Sequence, residues 1–219
     1  MREEPNKVAV CVMAKQPRPG EVKTRLIPAV GALGAAILAQ AFLDDALRCI
    51  RALRWARPIL ASTDATVTLE NWEVWEQSGG DLGDRQVDVF RRALRDSDAA
   101  ILIGSDCPGV PVRVLENARN ALMKFDAVLG PSQDGGFYLI GLKGCPEGLL
   151  SEIMWSQPDT LDQTLSRLKS VGMNVAILDP WCDVDTPEDL SQLMVGLNSG
   201  GIYAPHTEAA LGRILHVQS

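Results

Sequence analysis

Short apolar segments alternate with longer segments of helical periodicity along most of this chain, and this alternation constrains the fold more than any other feature. The short segments have the length and the β-branched content of buried strands. Strands that alternate with helices predict an α/β fold, in which helices cover both faces of a mostly parallel sheet. We predict strands at 7–13, 58–62, 99–103, 127–130, 137–142 and 174–178, and helices at 31–54, 86–96, 112–124, 160–171 and 187–197.

One pair of predicted strands does not fit a purely parallel sheet. Residues 127–130 and 137–142 are separated by a short turn, whereas a parallel crossover needs about a dozen residues or more. Either the pair contains an antiparallel strand, or the chain joins the two by a route that the sequence does not reveal. Segment 66–76 is equally consistent with a short helix and with a strand.

The length of 219 residues suits one large domain, and no segment has the composition of a linker. We predict a single domain over residues 1–197, followed by a C-terminal tail over 198–219 in which a helix could begin at Thr207. No segment reaches the ~20 apolar residues that span a bilayer, and the first apolar run does not resemble a secretory signal. These features predict a cytoplasmic protein without a membrane span.

The charge and the rare residues exclude several classes of function. A net charge of −7 argues against a nucleic acid partner, which requires a broad basic surface. The five cysteines are widely spaced and form no Cys-x-x-Cys, a pattern typical of reduced thiols. Both histidines lie in the last 14 residues, so a mechanism that depends on a histidine base is disfavoured.

A basic loop follows the first predicted strand. Residues 14–28 contain four cations within eleven positions, together with Gly20, directly before the long predicted helix. In open α/β sheets ligands bind outside the carboxyl ends of the strands, and phosphate groups favour fixed cations and free backbone N–H groups. The pattern predicts a phosphate site, although a solvated basic loop has the same composition. Its cations are Lys15, Arg18, Lys23 and Arg25.

Carboxylates follow other predicted strands. Asp106 comes after strand 99–103, and Asp183 and Asp185 precede the helix at 187–197. Thr186 and Asp189 match a helix cap, but capping does not explain Asp183 or Asp185. Carboxylate oxygens are the ligands that Mg²⁺ and Mn²⁺ prefer, so we predict a divalent metal site.

Two further loops are weaker candidates. Asp134 precedes two glycines between strands 127–130 and 137–142; the pair suits a tight turn, or a backbone that a substrate approaches closely. The glycine-rich segment 77–85 suits a surface loop, or a wall against a nucleotide base with Asp81 and Arg85 as contacts. Trp155 and Trp181 suit stacking on a base or sugar as well as packing, and packing is the simpler role for both and for Cys107.

Together these segments resemble a known family, the nucleotide-diphospho-sugar transferases of GT-A type, which include glycosyltransferases linked to arsenosugar biosynthesis. The matching segments recur in order from residue 8 to about 197 and are specific as a set. The chain has Ser105-Asp106-Cys107 where many GT-A enzymes have Asp-x-Asp. The matching segments are 13–15, 22–26, 77 with 80–83, 104–108, 129–131, 134–141 and 183–190.

The resemblance implies a GT-A, Rossmann-like fold with an antiparallel strand in a mixed sheet, and a metal-dependent glycosyltransferase acting on a nucleotide diphosphate sugar and a small acceptor. It assigns Asp134 and Lys23 to catalysis, and Asp106, Asp183 and Asp185 to Mg²⁺ or Mn²⁺. The nucleotide and its diphosphate would be bound by Ala14, Lys15, Gly20, Lys23, Arg25, Asp81, Arg85 and Ser105.

Two other functions remain open at this point. The segment Lys23-Thr24-Arg25-Leu26 also resembles loops of phospholactate guanylyltransferases, so the chain could join a nucleoside triphosphate to a small phosphorylated acid. Against this, the loop has only Gly20, whereas related nucleotidyltransferases wrap the triphosphate in glycines. A non-catalytic nucleotide-binding module is the third class.

Overall fold

The computed structural model describes residues 7–64 and 66–217, and for residues 215–217 it describes the backbone alone. Within these residues the chain forms a seven-stranded mixed sheet with the strand order β3-β2-β1-β4-β6-β5-β7. The predicted α/β class is therefore confirmed. The strands are β1 (Val8–Ala14), β2 (Ala56–Ser62), β3 (Glu73–Glu76), β4 (Ala99–Gly104), β5 (Ala127–Pro131), β6 (Phe137–Leu142) and β7 (Val175–Ile177).

The sheet is parallel except for β6, which runs antiparallel to both of its neighbours, β4 and β5. This resolves the short connection between 127–130 and 137–142, because β5 and β6 form a hairpin. The segment that was ambiguous in sequence contains β3, an edge strand parallel to β2.

Helices cover both faces of the sheet. α1 and α3 pack on one face, while α2, α4 and the segment around Leu149–Ile153 pack on the other. A third apolar cluster joins α1 to α5 and α6. The helices are α1 (Ile27–Arg51), α2 (Leu82–Ala93), α3 (Val112–Leu122), α4 (Thr160–Ser170), α5 (Pro187–Asn198) and α6 (Pro205–Val217).

The helix α2 begins four residues earlier than predicted, at Leu82, because Asp81 caps it. The Asp81 carboxylate accepts a hydrogen bond from the backbone N–H of Asp84, and the Asp84 side chain accepts one from the N–H of Asp81. This reciprocal cap satisfies N–H groups that a helix start otherwise leaves unpaired. Residues 82–85 of the predicted glycine-rich loop are therefore helical.

The helix α1 is more apolar than the sequence analysis allowed. Segment Thr24–Arg51 has a mean hydropathy of 2.0 over its best 18 residues, so by length and composition alone it is apolar enough to cross a bilayer. In the structure its apolar side chains contact the sheet on one side and α5 and α6 on the other. These contacts are those of a central helix in a packed domain.

Residues 205–217, predicted as part of a tail, form α6 and pack against α1. The carboxylate of Asp45, buried in α1, accepts hydrogen bonds from the backbone N–H groups of His206 and Thr207, at 3.2 and 2.9 Å, and from Thr207 Oγ1 at 2.7 Å. Ala210, Leu211 and Ile214 complete the third apolar cluster.

Candidate active site

A cavity of about 640 Å³ opens at the carboxyl ends of β1 and β4, beside the first residue of β6. Its volume lies within the range of small-molecule sites, and its position is the one that the sheet topology predicts for a ligand. The cavity brings together most of the residues singled out in the sequence. Those that line it are Ala14, Lys15, Lys23, Arg25, Arg85, Ser105, Asp106, Asp183 and Asp185.

The loop between β1 and α1 forms one wall of the cavity. Val22 is buried and anchors the loop, while Lys15 and Arg25 are exposed at the cavity. The backbone N–H groups of Gln16, Arg18 and Glu21 are already used in hydrogen bonds to Thr63 Oγ1, Gln16 O and Arg18 O. The loop therefore presents positive charge to the cavity mainly through its side chains.

Lys23 turns from this loop into the protein, where its ammonium group meets two carboxylates. Its Nζ lies 2.7 Å from Asp106 Oδ1 and 2.7 Å from Asp185 Oδ1, and its side chain is only 5 % exposed. Burial by itself lowers the pKa of Lys23, but the two carboxylates outweigh burial and the net shift is upward. The Lys23 side chain therefore stays charged.

A backbone hydrogen bond holds the two acidic segments together. The N–H of Val184 donates to the carbonyl oxygen of Asp106 at 3.0 Å, and the Val184 side chain is buried. Residues on either side of an inward-facing residue of an extended segment point the other way, and both Asp183 and Asp185 line the cavity. The cap predicted after them is confirmed, since Thr186 and Asp189 form a capping box at the start of α5.

Asp183 has the most perturbed carboxyl group of this cavity. Burial raises its pKa to about 6, and the negative charges of Asp134 and Asp185 add to the effect. Asp183 therefore binds a proton more readily than an exposed aspartate. The negative charges of Asp134 and Asp185 are therefore close enough to Asp183 to oppose its ionisation.

The carboxylate oxygens suit a hard divalent ion that is coordinated partly by the protein and partly by a ligand. About half of each side chain of Asp106 and Asp185 is exposed, at 53 % and 42 %. Among the described residues, no three acidic, cysteine or histidine side chains form a complete metal site. Mg²⁺ usually binds one or two carboxylates and completes its shell with water and substrate phosphates, so Asp106 and Asp185 suit it.

Asp134 lies in the β5–β6 turn and is exposed. Its Oδ1 accepts hydrogen bonds from Ser132 Oγ and, at 2.9 Å, from the N–H of Gly136. The next residue, Gly135, has a φ of 87°, and a Cβ there would lie 1.9 Å from the carbonyl oxygen of Pro158. The paired glycines therefore serve the turn and its packing.

Two residues predicted to bind the nucleotide do not line the cavity in the described part of the chain. Asp81 caps α2, as described above, and Gly20 forms an exposed turn with a φ of 84°. Arg85 does reach the cavity, and its Nε donates to the carbonyl oxygen of Gly80 at 3.1 Å.

Several residues that line the cavity on the α2 side have no site role predicted from the sequence. Gln77 donates through Nε2 to the carbonyl oxygens of Ala14 and Ala61, at 3.1 and 2.8 Å, which ties β1, β2 and the residue after β3 together. The sequence favours either a surface loop or a wall against a nucleotide base for segment 77–85, and the family resemblance includes Gln77, but neither assigns this residue a role. Because both donors are used, its amide oxygen is the atom left to contact a ligand.

Trp155 also lines the cavity, in contact edge-on with Phe137 at a ring-centroid distance of 6.1 Å. From the sequence, packing is the simpler role for Trp155, and stacking on a base or sugar is the alternative. Its Nε1 and the amide oxygen of the nearby Gln86 are buried without a hydrogen-bond partner in the described structure. Nothing in the local sequence distinguishes such a tryptophan from a core residue.

Comparison with known proteins places the chain among families that share this architecture. A family model described as "uncharacterized protein conserved in bacteria (DUF2064)" matches residues 37–157, more than half of the chain. A solved structure from Desulfovibrio desulfuricans G20, described as a "putative nucleotide-diphospho-sugar transferase", is 31 % identical. It matches with a TM-score of 0.85 over 94 % of each chain. No functionally curated protein matches significantly.

More distant structures share the fold alone. A cytidylyltransferase from Leptospira borgpetersenii serovar Hardjo-bovis is 14 % identical, with a TM-score of 0.58 over 96 % of this chain and 93 % of that one. A CMP:2-keto-3-deoxy-manno-octonic acid synthetase complexed with CTP is also 14 % identical, with a TM-score of 0.56 over 89 % of this chain and 99 % of that one. The fold is thus that of nucleotide-sugar transferases and related nucleotide-binding enzymes.

Proposed function

We propose that this chain, which belongs to the DUF2064 family of proteins conserved in bacteria, is a metal-dependent glycosyltransferase of the cytoplasm that takes its sugar from a nucleotide diphosphate donor. The broader class, a transferase that uses a nucleotide, is also the class of the similar solved structures. One observation carries the narrower proposal: exposed cations of the β1–α1 loop and a cluster of carboxylates line the same cavity.

The cations suit a diphosphate. Lys15 and Arg25 are exposed on the β1–α1 loop and reach the cavity, and Ser105 adds a hydroxyl group from the end of β4. Charge-assisted hydrogen bonds to phosphate are stronger than neutral ones. In the proposal these side chains hold the diphosphate, while Gln77 and Arg85 lie where the nucleoside would extend toward α2.

The carboxylates suit the metal that such a donor brings. Asp106 and Asp185 would bind Mg²⁺ or Mn²⁺ together with the diphosphate, and Asp183 would add negative charge beside them. When bound, the ion would neutralise the charge that develops on the departing diphosphate. The rest of the rate would come from positioning the sugar against a small acceptor.

The acceptor would enter beside β6, where Ser132, Phe137 and Trp155 line the cavity. Aromatic side chains offer sugars and similar compounds a broad apolar surface. The carboxylate of Asp134 is committed to its own turn, so the proposal gives Asp134 a role in shaping this turn instead of the catalytic role predicted from the sequence.

The β1–α1 loop is a poor cradle for a triphosphate. Nucleotidyltransferases of related fold use a glycine-rich loop whose N–H groups surround the phosphates. Here Pro17 and Pro19 have no N–H group, and three further N–H groups of the loop are already bonded. This favours sugar transfer over nucleotidyl transfer, because a diphosphate needs fewer backbone donors.

A panel of nucleotide sugars and nucleoside triphosphates, each with and without Mn²⁺, tests the proposal. A ligand at 100 times its dissociation constant stabilises the folded state by about 2.7 kcal/mol, which thermal unfolding detects. We expect the largest metal-dependent stabilisation from one group of nucleotide diphosphate sugars, and release of nucleoside diphosphate on turnover. Stabilisation by a triphosphate with release of pyrophosphate would establish nucleotidyl transfer instead, and tight binding without metal or turnover would indicate a binding module.

A further inference from the structure

The ammonium group of Lys23 occupies the position between the two carboxylates that best suit a metal ion. Its Nζ is 2.7 Å from one oxygen of Asp106 and 2.7 Å from one oxygen of Asp185, so these oxygens are no more than twice that distance apart. A Mg²⁺ ion bound to both oxygens would lie about 2.1 Å from each. It would then be in contact with Nζ, and two cations so close repel each other strongly. Lys23 and a metal ion on these oxygens therefore exclude each other.

The inward position of Lys23 depends on the fold around it. Its backbone has a φ of 47° and a ψ of 42°, a left-handed conformation that residues with a side chain seldom adopt. Such conformations persist when the surroundings stabilise them, and they concentrate at functional sites. The neighbouring loop cations Lys15 and Arg25 are exposed instead, so Lys23 alone among these three is buried between the carboxylates.

Two negative charges and one positive charge leave this cluster with excess negative charge, which Asp183 increases. The cluster therefore still attracts a divalent ion. An ion that arrives alone, however, must displace a buried ammonium group whose ion pairs within the described residues are those with Asp106 and Asp185. If a diphosphate arrives with the ion, the displaced ammonium group gains phosphate oxygens in the same cavity, and no buried charge is left unpaired.

We propose that Lys23 is an exchangeable cation: it neutralises Asp106 and Asp185 in the free protein, and it moves onto the diphosphate when a divalent ion takes its place. The inference rests on the proposed function, since it requires a diphosphate ligand. It makes metal and diphosphate binding mutually dependent, and by linkage each must strengthen the other by the same factor. Lys23 is then a positioning residue that admits the metal only together with the donor.

Mn²⁺ binding, followed by electron paramagnetic resonance, tests this without any assay of activity. For the unaltered protein we expect weak Mn²⁺ binding alone, and binding at least tenfold tighter with saturating uridine or guanosine diphosphate. In Lys23→Met we expect Mn²⁺ alone to bind at least tenfold more tightly than to the unaltered protein, because the competing cation is gone. The enhancement of Mn²⁺ binding by diphosphate should then largely disappear.

Lys15→Met is the matched control, since it removes the same charge from the same loop and Lys15 has no ion pair among the described residues. We expect it to change the affinity for Mn²⁺ alone by less than about threefold, the scale of a screened surface charge. Equal effects of the two substitutions would overturn the proposal, because general electrostatics would then explain both. Mn²⁺ binding to the unaltered protein that does not depend on diphosphate would also overturn it.

Lys23→Gln covers the case in which the methionine variant does not fold. Glutamine can still donate hydrogen bonds to both carboxylates, but it lacks the positive charge that competes with the metal ion. It should show the same gain in affinity for Mn²⁺ alone, and an unchanged affinity would refute the exchange. The gain is measured without nucleotide, so it is independent of the proposed function. If no nucleoside diphosphate binds the unaltered protein in the presence of any ion, the proposed function fails whatever the lysine variants show.

Discussion

At the scale of single residues, the buried ammonium group of Lys23 is neutralised by two carboxylates, Asp106 and Asp185, each 2.7 Å from its Nζ. The sequence predicts a cation in the β1–α1 loop, because several basic residues follow a buried strand in an acidic chain. It does not predict that this cation turns onto Asp106 and Asp185. This orientation of the Lys23 side chain depends on a left-handed backbone at residue 23 and on acidic segments from distant parts of the chain.

Asp106→Asn should abolish metal-dependent nucleotide binding and leave the fold intact. The amide removes the charge of one metal ligand, while Lys23 keeps its ion pair with Asp185. Loss of even an outer partner of a metal costs ~10–100-fold in affinity, so loss of a ligand should cost at least that. Calorimetric titration of the nucleotide with and without Mn²⁺ measures the effect.

The control is Glu188→Gln, because Glu188 is an exposed charge in the first turn of α5 and contributes less than ~1 kcal/mol to that helix. Unchanged Mn²⁺-dependent affinity in the Asp106 variant would remove Asp106 from the metal site. An unfolded variant would show that its charge is required for the fold.

Asp134→Asn should leave stability, nucleotide affinity and transfer nearly unchanged. The asparagine side-chain oxygen can still accept hydrogen bonds from Ser132 and Gly136, and asparagine suits such turns as well as aspartate does. We expect a change in the free energy of unfolding below about 0.5 kcal/mol. If transfer instead falls by ~10²-fold at unchanged nucleotide affinity, the carboxylate acts on the acceptor.

At the scale of secondary-structure elements, periodicity and composition predict most helices and strands, and the departures have local causes. α2 starts earlier than predicted because Asp81 and Asp84 form a capping box at its first turn. The surrounding glycines hide this capping signal in the sequence. α1 includes Gly31, whose φ of 71° and ψ of 165° interrupt the helix near its start. The direction of β6 follows from the short turn before it, which leaves no room for a crossover.

Gly135→Ala should destabilise the β5–β6 hairpin. The new Cβ would lie 1.9 Å from the carbonyl oxygen of Pro158, and the φ of 87° disfavours any side chain. Because backbone must move to relieve this contact, we expect a loss of about 2 kcal/mol or more in the free energy of unfolding, measured in urea. Gly144→Ala is the control, since a Cβ at Gly144 meets nothing within 4 Å. Equal losses in the two variants would show that the segment before α4 adapts freely.

Asp45→Ala should loosen α6 from α1. The buried Asp45 carboxylate accepts three hydrogen bonds from His206 and Thr207 at the start of α6. Replacing a helix cap costs ~0.5–2 kcal/mol, and leaving buried donors unpaired adds to this. Chemical denaturation should show a loss of about 2 kcal/mol. The control is Asp44→Ala, for which we expect less than ~0.5 kcal/mol, because this half-buried aspartate accepts a hydrogen bond only from Gln40 among the described side chains. Similar losses would mean that α6 does not depend on this cap.

At the scale of the whole molecule, the cavity forms at the carboxyl edge of the sheet, where residues from both faces of the sheet come together. The sequence predicts the side of the cavity made by the β1–α1 loop and the acidic segments, because each contains charged residues after a predicted strand. For the opposite side it offers segment 77–85 as a surface loop or a wall against a nucleotide base, and it assigns no site role to the lining residues Gln77, Gln86 and Trp155. These residues are uncharged and reach the cavity only through packing of α2 and the segment before α4 on the sheet.

Removal of residues 199–219 should unfold the protein or leave it only marginally folded. Without α6, apolar residues of α1 and α5 such as Phe42 and Leu190 would be exposed, and the buried carboxylate of Asp45 would lose its partners. Burial of Ala210, Leu211 and Ile214 alone is worth roughly 5 kcal/mol, a large part of a typical domain's stability. Circular dichroism and heat denaturation of the shortened chain measure the loss. A shortened chain with an unchanged melting temperature would show that residues 199–219 are not needed for stability.

The cluster of Lys23, Asp106 and Asp185 has a consequence for the synthesis of the protein. Lys23 and Asp185 are 162 residues apart in the chain, and Asp185 is held in place by the hydrogen bond between Val184 and Asp106. A ribosome that adds ~5–20 residues per second makes the lysine several seconds before its second partner. A nascent or prematurely terminated chain that ends before residue 185 therefore has the basic loop without its complete acidic counterpart.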